Sequence, residues 1–293
     1  MNANPSTSPS TEILRYTAFS ADPKGGNPAG VVLDATGLHD AAMLAIAAEV
    51  GYSETAFVTG RRGSHDLDVR YFSPKAEVSF CGHATVATAI ALAERLGPGD
   101  FVFATAAGTV PVTVTADASG ALLATLTSVE PHVLDAPGEV VAEALAALRW
   151  PAADLDPALP PRIAYAGARH LVLAAATRAR LADLDYDFDR LAALMTSLDL
   201  TTVQLVWREP GTDGTVFHVR DPFPIGGVVE DPATGAAAAA FGAYLRALGL
   251  VTAPAALTLH QGHDMGRPGL LTVTLREDDD RIRVSGSGTA IIM

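Results

Sequence analysis

The chain has 293 residues, a length that predicts two domains of ordinary size or one large one. Hydrophobic residues make up 49 % and charged residues 18 %, so a large core can be buried and wholesale disorder is excluded. Twenty basic residues against 33 acidic ones give a net charge of −13, which repels a phosphate backbone and argues against nucleic acid as a partner.

The sequence shows neither a membrane span nor a signal peptide. Its longest uncharged apolar run, residues 233–245, stops at Arg246 and is shorter than the roughly 18 residues that a span requires. Residues 1–11 are rich in Ser, Thr and Pro and lack the basic start and apolar stretch of a signal, so we expect a disordered tail. These features predict a cytoplasmic protein without a membrane partner.

Motifs for common cofactors and metals are missing. There is no phosphate-binding loop, no G-x-G-x-x-G, no H-E-x-x-H and no G-x-S-x-G. The single cysteine, Cys81, excludes an internal disulfide and any reaction that needs two thiols. His260 and His263 resemble a metal loop, but without a third His or Cys in that stretch a polar loop is favoured. No cofactor and no metal site is therefore expected.

Short apolar or β-branched runs predict six strands in each half of the chain. In chain order, these strands are 13–19, 29–33, 54–58, 67–72, 109–115 and 122–127, then 163–165, 170–173, 203–207, 215–219, 256–261 and 270–275. A surface helix is predicted at 38–50, ending at Gly51. Helices at 84–96 and 233–248 have almost no polar face, so each must be surrounded by protein.

The two halves repeat one pattern. Asp68-Val-Arg-Tyr-Phe-Ser-Pro74 corresponds to His218-Val-Arg-Asp-Pro-Phe-Pro224, and each match is followed by an Ala-rich helix after Thr85 or Thr234. Two further matches upstream keep the same order. The sequence therefore predicts an α/β (α+β) fold of two pseudo-symmetric halves, each a barrel-like mixed sheet around a central Ala-rich helix. We expect the halves at 12–135 and 162–293, joined by a Pro/Ala-rich linker at 136–161.

Titratable groups stand where the two central helices begin. Phe80-Cys-Gly-His-Ala-Thr85 precedes the first helix and Glu230-Asp-Pro-Ala-Thr-Gly235 the second, and free N–H groups at a helix start bind anions. Asp231 could instead cap its helix, and His83 could be a core histidine bonded to backbone. Glu54, at the edge of an apolar strand, is a candidate proton carrier or an ordinary strand-end carboxylate.

With these residues the sequence resembles the phenazine-biosynthesis PhzF family, which has the diaminopimelate-epimerase-like fold. The resemblance runs from about residue 16 to 283. Its carriers are Phe19, Gly26-Asn-Pro-Ala-Gly-Val-Val32, Ser53-Glu-Thr-Ala-Phe57, Arg70-Tyr-Phe-Ser-Pro74, Gly82-His-Ala-Thr85, Glu230-Asp-Pro-Ala-Thr-Gly235, Gln261-Gly262 and Gly266-Arg-Pro268. It implies a homodimer, with an active site in the cleft between the halves of each chain.

The resemblance also implies roles for individual residues. Glu54 moves a proton between ring carbons of a cyclic diene carrying a carboxylate, while His83 and Asp231 hold the substrate and assist. The founding reaction isomerises trans-2,3-dihydro-3-hydroxyanthranilate to a ketone without a cofactor. The substrate-binding positions that the resemblance implies are Gly82, Thr85, Thr234, Gly235 and Ala236.

One departure affects the substrate. Ala236 stands where the family often has serine, so another cyclic diene or enamine carboxylic acid is an alternative substrate. Cys81 lies where diaminopimelate epimerases carry a catalytic cysteine, but a two-thiol mechanism fails because the chain has no second cysteine.

Three functions stay open at this point. The first is a cofactor-independent isomerase of secondary-metabolite biosynthesis, such as phenazine or other antibiotic pathways. The second is an epimerase or racemase that uses Glu54 as one of its bases. The third is a non-catalytic interaction protein on the same fold.

Overall fold

The computed structural model describes residues 11–292. The predicted disordered tail, residues 1–11, therefore lies outside the described residues except for Thr11. Within residues 11–292, no helix combines the length and the apolar character needed to cross a membrane.

The first half of the chain folds as a closed eight-stranded barrel around one helix. The strands of this half are β1 Leu14–Ala18, β2 Asn27–Val32, β3 Thr55–Arg61, β4 Asp66–Phe72, the short β5 Glu77–Val78, β6 Gly99–Thr105, β7 Gly108–Ala116 and β8 Leu122–Thr127. All of them except β5 belong to the barrel. The helices of this half are α1 Asp40–Val50 and α2 Gly82–Leu96. The barrel order is β1-β2-β3-β4-β6-β7-β8. The last strand of the chain, β17 Arg283–Ala290, closes the barrel by pairing with both β8 and β1.

The second half repeats this order of strand pairings around α6. Its strands are β9 His132–Asp135, β10 Arg162–Tyr165, β11 Arg169–Ala174, β12 Thr202–Arg208, β13 Val216–Pro222, β14 Glu230–Asp231, β15 Ala255–Gln261 and β16 Gly269–Leu275, and its helices are α3 Gly138–Leu148, α4 Arg178–Ala182, α5 Phe188–Ser197 and α6 Gly235–Ala247. Strands β11 and β12 are parallel, as β2 and β3 are, and the parallel pair β13–β15 matches β4–β6. The same order of parallel and antiparallel pairs in both halves confirms the predicted pseudo-symmetric fold.

Both central helices are apolar all round because they are enclosed by their sheets. Residues 83–93 of α2 are all buried, and so are ten of the residues of α6. Small side chains let the sheet come close: a Cβ on Gly242 would lie 2.7 Å from Cγ1 of Val273 on β16. Larger residues here would force the helix and sheet apart.

The Pro/Ala-rich stretch 136–161 is packed rather than extended. It contains α3, whose buried Val140, Leu145 and Leu148 join Trp150 in a second core cluster with residues of β11, β12 and α5. Residues of α3 therefore pack against strands and a helix of the second half. The division of the chain into units at this stretch stays a prediction, and β17 is shared because it pairs with strands of both halves.

A buried polar chain crosses three strands of the second half. Thr202 Oγ1 donates to Asp221 Oδ1 at 2.7 Å, and His170 Nδ1 lies 2.8 Å from the same hydroxyl. All three residues are buried. Burial raises the pKa of the Asp221 carboxyl well above its usual range and lowers the pKa of His170 to about 3. Burial therefore favours the protonated form of Asp221 in the folded protein.

We expect Asp221→Asn to stabilise the protein at neutral pH and to lose that advantage in acid. In the unfolded chain the carboxyl ionises above its ordinary pKa, whereas in the folded chain it keeps its proton to a higher pH. The wild type therefore loses about 1.4 kcal/mol of unfolding free energy per pH unit as the pH rises between these two pKa values. The Asn side chain has nearly the same shape as that of Asp, and it does not ionise in this pH range. Melting curves of both proteins over roughly pH 4–7 measure this, and parallel pH dependences would contradict it.

Candidate active site

Glu54 and His83 meet at the end of the first barrel. Glu54 comes immediately before β3, where its carbonyl accepts from the N–H of Gly30 at 3.1 Å. His83 is the second residue of α2. Their side chains are 16 % and 8 % exposed, and His83 Nε2 lies 3.3 Å from Glu54 Oε2. The pair is nearly closed to solvent, and Ser53 Oγ lies 3.3 Å from the same His83 nitrogen.

Asn27, at the start of β2, joins the two halves of the chain. Its Nδ2 donates to Asp231 Oδ1 at 2.8 Å and to the carbonyl of Ala233 at 3.0 Å, and it lies 3.1 Å from His83 Nδ1. The amide nitrogen has two hydrogens for these three acceptors, so one hydrogen is shared, and His83 Nδ1 can only accept in its contact with the amide. In the neutral imidazole the proton then lies on Nε2, facing Glu54.

Asp231 does not cap the second central helix. It lies in β14, and α6 begins four residues later at Gly235 with Thr234 as the N-cap residue, so the capping interpretation is wrong. The carboxylate instead accepts from Thr234 Oγ1 at 2.6 Å. Burial raises the pKa of Asp231, while His83 and the hydrogen bond from Thr234 oppose that rise.

Gln261, the last residue of β15, fixes this segment from the opposite side. Its Nε2 donates to the carbonyl of Asp231 at 2.9 Å and to Thr234 Oγ1 at 3.0 Å, while its Oε1 accepts from the N–H of Thr234 at 3.0 Å. The amide is completely buried. The Thr234 hydroxyl therefore donates to the Asp231 carboxylate and accepts from Gln261, and these two hydrogen bonds orient Asp231.

The two central helices begin at the same place. α2 begins after Cys81 and α6 after Thr234, and neither of these side chains bonds to an amide of its helix. First-turn N–H groups at Gly82 and Gly235 are thus left for another acceptor. The contacts of Asn27 with both His83 and Asp231 bring the two helix starts together between the halves.

Gly235 is tightly packed on one side by Phe19. A Cβ at this position would lie 3.3 Å from Phe19 Cζ. Phe19 has a left-handed backbone, with φ of 64°, and is held by hydrogen bonds to Ser287 and Leu270. Such a conformation is costly for a non-glycine residue and is often found near functional sites.

The predicted substrate-binding residues Thr85 and Ala236 differ in burial and in their contacts. Thr85 is fully buried, and its hydroxyl donates to the carbonyl of Cys81 at 2.7 Å and lies 2.6 Å from the Tyr71 hydroxyl. Its side chain is committed to the start of α2 and does not join the Glu54–His83–Asp231 group. Ala236 is the second residue of α6 and is partly buried.

Cys81 contacts both members of the first pair. Its Sγ lies 3.5 Å from Glu54 Oε2 and 3.4 Å from His83 Nδ1. Burial and the neighbouring Glu54 carboxylate raise the pKa of the thiol well above its usual range. Ligand atoms of these three residues lie within 4.8 Å of one another, which is close enough for a metal ion. A thiol ligates a metal as thiolate, whereas the raised pKa favours the protonated thiol, which donates to Glu54 Oε2.

Sequence reasoning did not single out Asn27 or Gln261 as site residues. Gln261 follows Leu257 and Leu259 at a spacing of two, so it faces the interior of the sheet with them. A polar side chain at such a position needs hydrogen-bond partners, and this pattern could have identified it. Asn27 stands before an apolar strand, but its partner Asp231 is 204 residues away and could not be inferred from the local sequence.

Comparison with known proteins gives one consistent answer. Residues 16–293 match the family model PhzC-PhzF, described as phenazine biosynthesis-like protein. The chain is 33 % identical over 295 residues to the uncharacterized isomerase YddE of Escherichia coli K12, with 96 % of each chain covered. It is 31 % identical over 276 residues to trans-2,3-dihydro-3-hydroxyanthranilate isomerase of Pseudomonas chlororaphis, covering 92 % of this chain and 94 % of that one.

A solved structure agrees with the sequence matches. The crystal structure of the PhzF-family phenazine biosynthesis protein of Bacillus anthracis aligns with a TM-score of 0.85 and 27 % identity, covering 96 % of each chain. With the match over residues 16–293 and curated relatives that are isomerases, the chain belongs to the PhzC-PhzF family of phenazine biosynthesis-like proteins and is an isomerase.

Proposed function

We propose that this isomerase moves a proton between carbons of a small cyclic diene or enamine carboxylic acid. The observation that carries the proposal is the nearly enclosed Glu54–His83 pair, 3.3 Å apart, at the meeting point of two helix starts. A relative in Pseudomonas chlororaphis acts on trans-2,3-dihydro-3-hydroxyanthranilate, which is a molecule of this class. The reaction needs no net oxidant or reductant, because substrate and product have the same atoms and the same oxidation state, and a side chain that takes and returns a proton can carry it out.

In the proposed reaction, Glu54 is the group that carries the proton. The carboxylate takes a proton from one ring carbon, the double bonds shift, and the same proton is returned to another carbon. One carboxylate suffices if the substrate stays bound between the two transfers. With a side chain only 16 % exposed, Glu54 is shielded from bulk water that could exchange the proton during its transfer.

His83 and Asp231 are proposed to hold the substrate and adjust the charge beside Glu54. The Nε2–H of His83 points at Glu54 Oε2 and can donate to the carboxylate or to a polar substituent of the ring. Asn27 fixes both His83 and Asp231 through one amide nitrogen, which makes it a positioning residue.

The substrate carboxylate is proposed to bind at the starts of α2 and α6. Free N–H groups and the helix dipoles favour an anion there. Crystals grown in sulfate, phosphate or acetate are therefore expected to show an anion at the amides of Gly82 or Gly235, between the halves. Well-ordered density there containing only water, at anion concentrations that fill other sites, would contradict this location.

The cysteine is proposed to act only as a hydrogen-bond donor. Because the pKa of Cys81 is raised, the thiol stays protonated and donates to Glu54. Cys81→Ser keeps a donor, so turnover is expected to stay within about tenfold of wild type, compared with about 100- to 10,000-fold for loss of an acid/base group. A fully inactive but folded Cys81→Ser protein would return the thiol to the mechanism.

The identity of the ring acid is tested by a direct assay. Purified protein is incubated with trans-2,3-dihydro-3-hydroxyanthranilate, and loss of the starting diene is followed by absorbance and by NMR. Ala236→Ser, which restores the hydroxyl often found in the family, is measured beside it. We expect turnover by at least one of the two proteins, with Ala236→Ser favouring this substrate. Inactivity of both would exclude this compound and leave other cyclic acids as substrates.

We also propose that the protein is a homodimer, as the resemblance implies. Light scattering of the purified chain measures this, and a monomer at all concentrations would contradict it.

A further inference from the structure

The turn between β15 and β16, residues 262–268, contacts the candidate active site from the second half of the chain. The N–H of Arg267 closes this turn by donating to the carbonyl of Gly262 at 2.9 Å. A Cβ on Gly262 would lie 2.7 Å from the carbonyl oxygen of Pro232, the residue that follows Asp231. The backbone of the turn is therefore packed directly against the segment that carries Asp231.

Arg267, in the Gly266-Arg-Pro268 motif, reaches from this turn to the first half of the chain. Its Nε donates to the carbonyl of Gly26 and its Nη2 to the carbonyl of Gly25, both at 2.9 Å. In return, the N–H of Gly26 donates to the carbonyl of Pro268 at 3.0 Å. Hydrogen bonds from a charged guanidinium are stronger than neutral ones, and its planar fork fixes their directions. Three hydrogen bonds thus join the two halves at this point.

The loop held by this arginine leads directly into Asn27. A Cβ on Gly25 would lie 2.4 Å from the carbonyl oxygen of Pro268, so the backbones of the loop and the turn are in contact. Asn27 follows Gly25 by two residues, and its amide nitrogen contacts both His83 and Asp231. A shift of the loop is therefore expected to move this amide between the two side chains.

We propose that Arg267 is a positioning residue of this isomerase, acting through Asn27. Gln261, immediately before the same turn, donates to the backbone carbonyl of Asp231 at 2.9 Å. Because Arg267 ties the loop before Asn27 to this turn, both sides of the Asn27–Asp231 hydrogen bond are fixed to one element. The arrangement thereby sets Asp231 relative to His83, which the same amide nitrogen contacts. Its effect on turnover rests on the proposed function of these two side chains.

A purely structural tie between the halves is the alternative role. The first half also holds this loop by itself, since Thr17 Oγ1 donates to the carbonyl of Gly25 at 2.6 Å and Asn27 pairs with Ala18 in the ladder of β1 and β2. If these contacts alone fixed Asn27, loss of the guanidinium would lower stability and leave His83 unchanged. The proton position on the His83 ring separates the two roles, because the amide of Asn27 faces Nδ1 and keeps the proton on Nε2.

Histidine-selective ¹⁵N NMR of the wild type and of Arg267→Gln tests this role without any substrate. Glutamine is shorter, is uncharged and has one donor group, so it cannot hold both glycine carbonyls. At about pH 8, where an ordinary imidazole is neutral, we expect the wild type to show one tautomer of His83, with the proton on Nε2. Arg267→Gln is expected to show both tautomers. The spectrum of His83→Asn identifies the His83 signals by their absence.

Turnover of trans-2,3-dihydro-3-hydroxyanthranilate is measured on the same proteins. Arg267→Gln is expected to lower kcat by about 10- to 100-fold, because a displacement of about 1 Å in an active site can cost about 100-fold. Arg267→Lys keeps the charge and can reach one carbonyl, so its loss should be smaller, with a smaller change in the His83 tautomers. If Arg267→Gln does not fold, Arg267→Lys carries both measurements.

Arg246→Gln is the matched control. Arg246, near the end of α6, also donates to backbone carbonyls, those of Arg276 and Asp280, which lie between β16 and β17. Its loss should lower the melting temperature, as the loss of Arg267 should, but leave kcat and the His83 tautomer as in the wild type. An unchanged His83 spectrum in folded Arg267→Gln would overturn the proposal, and so would the same change in Arg246→Gln. A changed spectrum with wild-type kcat would support the positioning and reject the proposed role of His83 in turnover.

Discussion

Glu54→Gln is expected to lower kcat by about 100-fold or more while substrate binding persists. The amide keeps the size of the side chain and its capacity to accept from His83 and Cys81, but it cannot take a proton from carbon. General acid–base groups contribute about 100- to 10,000-fold to rate, and this substitution removes the one proposed here as the proton carrier. Steady-state kinetics on a turned-over ring acid gives kcat, and ligand titration gives the binding constant.

The matched control for this variant is Glu49→Gln. Glu49 is an exposed carboxylate near the end of α1, five residues upstream, and removing its charge leaves the contacts of the site intact. It should retain kcat within about twofold to threefold, since exposed surface changes have small effects. If Glu54→Gln matched Glu49→Gln in rate, the proposed proton carrier would be wrong whatever the fold.

Asp231→Asn is expected to reduce kcat/KM by about 100-fold, with KM rising as well as kcat falling. The Asp231 carboxylate accepts hydrogen bonds from Asn27 and Thr234. In the Asp231→Asn protein an uncharged amide, with one oxygen acceptor instead of two, replaces that carboxylate. Asn27 then loses its charged acceptor, and its hold on His83 is weakened. The expected change in both kinetic constants distinguishes a group that holds the substrate from one that acts only in proton transfer.

Asp221→Asn provides the matched control for Asp231→Asn. Asp221 is paired with Asp231 in the ladder of β13 and β14, is equally well buried, and bonds to Thr202 instead of to Asn27. Its removal should leave kcat/KM within about tenfold of wild type. Equal loss of activity in both variants would indicate a general effect of replacing a buried carboxyl group, and the specific role of Asp231 would then be rejected.

The sequence repeat predicted most of the architecture. All twelve predicted strands are present to within a few residues, and α1, α2 and α6 begin and end close to their predicted bounds. The apolar character of α2 and α6 was the strongest signal, because a helix without a polar face must be enclosed. The repeat then placed one such helix in each half.

Several elements were missed for identifiable physical reasons. β17 reads Arg-Val-Ser-Gly-Ser-Gly-Thr-Ala, in which two glycines weaken any strand pattern. Those glycines are needed because a Cβ at Gly286 would lie 2.2 Å from the Phe19 ring and one at Gly288 would lie 3.2 Å from Ile90. α3 was hidden in a stretch whose prolines suggested a linker, although Pro137 comes just before the helix starts.

The site was predicted in part. Glu54 and His83 lie in short motifs at element starts, where titratable groups are conspicuous, and the structure brings them to 3.3 Å. Asn27 contacts Asp231 only because one half of the chain packs against the other. Such a contact cannot be predicted from the local sequence around either residue. Thr85, which the resemblance implies as a substrate-binding position, uses its hydroxyl inside the start of α2, and its role in substrate binding stays a prediction.

The fate of a deuterium placed on the ring carbon that loses its proton is the most direct test of the account. The wild type should deliver part of that label to the carbon that gains a hydrogen, since one carboxylate carries it, and Glu54→Gln should transfer it at least about 100-fold more slowly. Loss of the label, with a solvent hydrogen entering at the same carbon with inversion, would indicate an epimerase that uses two bases. Transfer by Glu54→Gln at the wild-type rate would contradict the claim that Glu54 carries the proton.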